Sequence, residues 1–161
     1  MVMDNGQTII ELYEALKRRD GPAMGALYHP DATFRDPVFG QLSRADVVSM
    51  WHMLCVRGHD LELELVRSGV NGDRGFAEWE ARYAFAKTGK KVHNKVLSQF
   101  VFRDGLIYDQ VDEFDLWRWL RMALGAPGRL LGWARPLRNA VRKEALRNLQ
   151  AFRDQAARSD R

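Results

Sequence analysis

The chain has 161 residues, 46% of them hydrophobic and 29% charged, with a formal net charge of +4 and one cysteine, which fits one domain with a real core. Cys55 alone excludes an intrachain disulfide and a cysteine-rich metal site, and in its apolar surroundings it reads as a packing thiol of a protein from the reducing cytoplasm. The start, Met1-Val2-Met3-Asp4-Asn5-Gly6, lacks a basic region followed by an apolar one, and no run approaches 18 uncharged apolar residues, so neither secretion nor membrane spanning is expected.

Charge is unevenly spread. Residues 1–115 carry a net −4 and residues 116–161 a net +8, dividing the chain into a main unit, 1–115, and a basic extension, 116–161.

Thr8-Ile9-Ile10-Glu11 has the form of a capping box, and Ile9, Ile10, Tyr13 and Leu16 recur at helical spacing, which predicts a helix over 9–19. Pro22 suits a first helical turn and predicts a short helix over 22–28. The prolines at 30 and 37 push the residues before them toward extended backbone, so 32–36 reads as a short strand ending at Asp36. A carboxylate held there by a rigid Asp-Pro unit among Phe34, Val38 and Phe39 is half desolvated and suited to act as a base; the same residue also suits a turn, accepting from neighbouring backbone N–H groups. Ser43 caps a third helix whose stripe is Val47, Met50, Trp51, Leu54 and Cys55, ended by Gly58.

Four strands follow. Leu61, Leu63 and Leu65 alternate with acidic residues, and Asn71-Gly72-Asp73 turns the chain. Ala77, Trp79, Ala81, Tyr83 and Phe85 share one face of the second, up to a turn at 87–90. In the third, over 92–102, Asn94, Val96, Ser98, Phe100 and Phe102 form the more apolar face, with His93 opposite. In the fourth, over 106–114, Tyr108, Gln110, Asp112 and Phe114 share one face, Ile107 and Val111 the other. Helices followed by a meander predict an α+β domain, a cone-shaped curved antiparallel sheet with N-terminal helices covering its concave face, plus a C-terminal helical extension. Alternation places Asn94, Ser98, Gln110 and Asp112 inside this cone beside Trp79 and Tyr83, the mixture of apolar walls and few polar groups that small-molecule sites use. These polar groups equally suit a wet core in which they bond one another or water.

In the extension, Asp115 caps a helix over 116–124, 125–128 breaks it, and a last helix from Pro136 carries Leu137, Val141, Ala145, Leu149 and Phe152 on one stripe flanked by arginines. That stripe needs a cover, either the protein's own sheet or a dimer mate, or else an anionic membrane surface or the acidic groove of a protein partner.

The order of elements, with Leu27-Tyr28-His29-Pro30-Asp31-Ala32-Thr33-Phe34-Arg35-Asp36-Pro37-Val38-Phe39-Gly40 and the strand after Arg103-Asp104-Gly105, resembles the nuclear transport factor 2-like superfamily, especially its SnoaL-like and ketosteroid-isomerase branches, over residues 8–115. The fold hosts isomerases, cyclases, dehydratases, epoxide hydrolases and binding proteins. The resemblance implies that Asp36 matches the proton-shuttling aspartate of the isomerases. Their oxyanion tyrosine falls at Leu12, with Tyr13 on another helical face, and their protonated acid falls at Ser98. Where the cyclase-like branch often has a His-x-Asp pair, this chain has Gln110 and Asp112, so Asp112 stands as a second base.

His29, His52, His59 and His93 lack metal-site spacing, and there is no phosphate loop, dinucleotide fingerprint or nucleophile elbow, so neither metal nor cofactor is expected. Nucleic acid is not expected either, because the extension's arginines flank an apolar stripe. Three classes of function remain. One is a cofactor-independent isomerase, cyclase or dehydratase acting on a small apolar, aromatic or polyketide-like ligand. Its catalytic residues would be Asp36 and Asp112, with Trp51, Trp79, Tyr83, Asn94, Ser98, Gln110 and Phe114 binding substrate. The others are a pocket that binds without chemistry and a scaffold working through its basic tail. The resemblance also implies a homodimer, and Leu97, Val101, Ile107 and Val111 would offer it an apolar sheet face. Light scattering at micromolar concentration is then expected to report a species heavier than the 18.6 kDa of one chain.

Overall fold

Asp4, rather than Thr8, starts the first helix. In the computed structural model, which describes residues 3–161, the Asp4 carboxylate accepts from Gln7 N at 2.9 Å, and helix α1 runs Asn5–Arg18, four residues longer at its start than its apolar pattern predicts. Two capping signals compete here, and the upstream one prevails because Thr8 is buried and donates its hydroxyl to Gly105 O at 3.0 Å, pinning α1 to a sheet turn. Helix α2, Gly21–Gly25, is capped by Asp20 and ends earlier than predicted because Tyr28 already belongs to strand β1, Tyr28–Asp36. A short β2, Gly40–Ser43, precedes α3, Arg44–Arg57, which Ser43 caps as expected.

The four predicted strands are β3, Glu62–Asn71, β4, Arg74–Ala84, β5, Lys91–Arg103, and β6, Leu106–Glu113. They join the first two in one six-stranded sheet of order β2-β1-β6-β5-β4-β3. Every pairing is antiparallel except β1 with β6, which is parallel. Local pattern carries no information on that pairing, because the helix α3 and four strands, β2 to β5, separate its partners in the chain. The α+β expectation holds, with α1 and α3 packed over one face of the sheet around Ile9, Leu12, Tyr13, Met50, Trp51, Phe34 and Phe100.

Alternation places the inner face of β5 as expected: Asn94, Val96, Ser98, Phe100 and Phe102 are all buried. Ile107 corrects the expectation for β6. Val101 pairs with Asp109 but Phe102 with Ile107, and this register shift turns Ile107 into the core, fully buried, instead of onto the outer face. Tyr108 stays partly exposed beneath the Arg103 guanidinium, 3.7 Å from its ring centroid.

The extension folds back on the main unit. Asp115 caps α4, Leu116–Leu124, which leads to α5, Ala126–Leu131, and α6, Arg135–Ser159. Leu116, Trp119, Leu120 and Ala123 pack with Val92, Tyr83, Phe85, Phe114 and Val38. Because β4 ends opposite the start of β5 and β6, antiparallel to β5, runs toward that same end, these contacts lie at a single end of the sheet. Along α6, Leu149 is buried with Ala145 and Phe152 beside it, Phe152 meets the His52 ring edge-on, and Arg153 pairs with Asp46. From Val141 to Phe152 the stripe read from the sequence is thus packed within its own chain. Leu149→Ala is expected to cost about 2 kcal/mol or more in urea unfolding, while Leu146→Ala, at a position 38% exposed, is expected to cost under about 0.5 kcal/mol.

Candidate active site

Ser98 on β5 and Asp112 on β6 are cross-strand partners with inward side chains, and a buried polar cluster grows from that pair. The Ser98 hydroxyl donates to Asp112 Oδ1 at 2.6 Å and accepts from Tyr13 Oη and Trp79 Nε1, both at 2.8 Å. One proton and two lone pairs are all a hydroxyl has, so Ser98 is saturated. Gln110 Nε2 donates to the same Asp112 Oδ1 at 2.9 Å, while Gln110 Oε1 accepts from Tyr28 Oη, which accepts from Trp51 Nε1 at 2.8 Å. Seven side chains from α1, β1, α3, β4, β5 and β6 form one connected network ending on a single carboxylate oxygen. Asp112 Oδ2 has no hydrogen-bond partner among the described residues.

The electrostatics follow from this burial. Burial pushes the Asp112 carboxyl up to about 7; the bonds from Ser98 and Gln110 oppose the shift, and the charge of Asp36 adds to it. Asp36 is pushed up to about 6, again by burial, against the stabilising N–H groups of Phe39 and Val38 and the charge of Arg142. Its Oδ1 accepts from Val38 N at 2.9 Å and Phe39 N at 2.6 Å, so the turn role read from the sequence and a raised pKa belong to one residue. Burial likewise raises the Tyr13 and Tyr28 phenols well above their ordinary range and Tyr83 to about 12.

Of the residues singled out in the sequence, Asp112, Ser98, Gln110, Trp79 and Trp51 meet in the network. Asn94 is buried on the same face but outside it. Tyr83 and Phe114 stand where the α4 contacts meet the main core, Tyr83 accepting from Trp119 Nε1 at 2.7 Å. Asp36 lies at the same end, where Arg142 of α6 donates to Pro37 O and Val38 O at 3.1 and 3.3 Å.

Sequence reasoning missed Tyr28, Trp119 and Arg142, and it set Tyr13 aside. Leu12 and Tyr13 are both fully buried, because α1 sinks a stripe wide enough for two adjacent positions. Parity does not reveal Tyr28, because Pro30 of the same parity is exposed and the β1–β6 register shifts between Tyr28 and Thr33, so only the tertiary pairing turns Tyr28 inward. Two surface clefts lie apart from this cluster, one among Arg18, Asp20, His52 and His59, the other, about 440 Å³, reaching Tyr83 from outside beside Arg82 and His93.

A helix-covered curved sheet with a buried carboxyl at its heart defines the class, and the sequence specifies the family. Residues 9–110 match the model of the SnoaL-like domain; the chain belongs to that family. Solved structures share the fold. One is a protein with a ketosteroid isomerase-like fold from Catenulispora acidiphila, in complex with trimethylamine, at TM-score 0.66 and 15% identity over 76% of this chain and 95% of that one. Another is IdmH, a putative polyketide cyclase from Streptomyces antibioticus, at TM-score 0.64 and 21% identity over 77% and 100%. A third is an LEH-like epoxide hydrolase of M. tuberculosis, at TM-score 0.63 and 18% identity over 79% and 92%. No curated protein matches the chain.

Because the folded protein holds Asp112 protonated up to about pH 7, against an ordinary value of 3.8, the native state binds more protons than the unfolded chain in between. The stability this confers is fully present below about pH 4 and is lost as pH rises through about 7. Asp112→Asn is therefore expected to flatten the fall in unfolding free energy between those values by a few kcal/mol, measured by denaturant titration across pH.

Proposed function

We propose that this protein is a cofactor-independent enzyme that takes a proton from one atom of a small apolar or polyketide-like substrate and returns it to another, with Asp112 as the carrier. The observation that supports it is the Asp112 carboxyl itself, buried, with a pKa near 7 and both of its bonds on Oδ1. A group divided between acid and anion at neutral pH can serve in both directions, which isomerisation, cyclisation and dehydration all require. Ser98 and Gln110 hold Oδ1, leaving Oδ2 to meet the substrate. Tyr13, Trp79, Tyr28 and Trp51 hold those two in turn. Asp36, also pushed up by burial, to about 6, and set in the Asp-Pro-Val turn, is the second carboxylate. Tyr83, Phe114 and Asn94 supply walls and an anchor. A polyketide cyclase and an epoxide hydrolase among the structural neighbours fit small-molecule chemistry on this fold.

Binding without chemistry is the second reading, favoured by the cluster's nearly complete internal pairing, which a purely structural network also needs. The test begins with the ligand that co-purifies, identified by mass spectrometry, and then follows solvent deuterium entering it. Asp112→Asn is expected to slow exchange by about 100-fold or more while the protein stays folded, and Asp36→Asn to slow it as well. Exchange at the wild-type rate in both variants would assign the protein to ligand binding.

A further inference from the structure

The α4 helix has two unlike faces. Its inner face, Leu116, Trp119, Leu120 and Ala123, covers the end of the sheet beside Tyr83 and Phe114. Its outer face carries Trp117, 42% exposed, and continues into Leu130, Leu131 and Trp133, which are 68%, 52% and 72% exposed. The four form one patch. A Cβ placed on Gly132 would lie 2.7 Å from Trp117 Cδ1, so the α4 tryptophan rests on the backbone between Leu131 and Trp133. Trp133 Nε1 donates to Leu130 O at 3.0 Å, which folds the second indole onto the end of α5. Gly128 holds the two helices together, since a Cβ there would come within 2.0 Å of Leu120 O.

The segment that carries the patch has charges of one sign. Between residues 116 and 143 there are seven Lys and Arg and no Asp or Glu. Arg118, Arg121, Arg129, Arg135 and Arg138 are exposed, and none pairs with a carboxylate among the described residues. Arg121 lies over the Trp117 ring, 4.5 Å from its centroid. The basic residues of α6 that do find partners, Arg142 and Arg153, sit farther along the chain and serve its packing.

We propose that α4 and α5 dock this protein on an anionic lipid surface, with Trp117, Leu130, Leu131 and Trp133 in the interface and the five arginines on the headgroups. The two features select the same occupant. Large aliphatic and indole side chains gathered together gain nothing from a nucleic-acid backbone, whereas arginines with no acidic complement do not suit a purely apolar protein face. A bilayer of anionic lipid takes both at once, indoles at headgroup depth and guanidinium groups on phosphate. The site is thereby covered by a helix whose other side meets the membrane.

The full-length protein is tested with phosphatidylcholine vesicles, with and without about one quarter phosphatidylglycerol. Co-sedimentation is expected to be at least about 10-fold stronger on the anionic vesicles, with a blue shift of tryptophan emission, and to weaken as salt rises to about 0.5 M. The double variant Leu130→Ser, Trp133→Ser and, separately, Arg129→Glu, Arg138→Glu are each expected to lose about 10-fold or more of that binding at an unchanged melting temperature. Wild-type protein that ignores anionic vesicles overturns the proposal. So does equal binding to both vesicle types that survives both double variants, and so does a dimer abolished by Leu130→Ser, Trp133→Ser, which would assign the patch to a second copy of this chain.

Discussion

Burying a carboxyl group is costly unless its oxygens find donors, and side chains from six elements are arranged around meeting that demand at Asp112. Ser98 meets it first and is itself saturated by Tyr13 and Trp79. Gln110 meets it second and is steadied by Tyr28 and Trp51. Each further donor comes from a different element, so the relative placement of α1, α3 and four strands is registered by hydrogen bonds as well as by packing. In a low-dielectric interior such a network is rigid while complete and expensive to leave half made. The residual tendency of Asp112 to hold its proton is what is left of the burial cost after those donors have acted.

The C-terminal extension acts on the same region from outside. Trp119 reaches Tyr83, Arg142 reaches the backbone of the turn that holds Asp36, and both contacts fall at one end of the sheet. The solved relatives cover 76%, 77% and 79% of this chain while being matched over 92–100% of their own length, and the SnoaL-like match ends at residue 110. Trp119 and Arg142 both lie beyond the SnoaL-like match, and the Arg142 charge opposes the rise that burial causes in the Asp36 pKa.

Local pattern along the chain placed α3, α4 and the strands β3 to β6, though not β2 or the start of α1. Alternation along β4 and β5 placed Trp79, Asn94 and Ser98 inward, Ser43 and Asp115 marked helix starts, and the burial of Asp112 and Gln110 followed from parity along β6. These follow from the two-residue period of a strand and from side-chain oxygens meeting free N–H groups, which depend only on neighbours in the chain. Tertiary structure alone decided what depends on distant segments meeting. The parallel pairing of β1 with β6 brings Phe34 beside Gln110, and the register shift after Val101 turns Ile107 inward. The approach of α1 puts the Tyr13 hydroxyl on Ser98, and the return of α6 puts Arg142 over the turn at Asp36. A pKa near 7 at Asp112 belongs to this second group, because desolvation is a property of everything packed around a carboxyl and not of the residues beside it in the sequence.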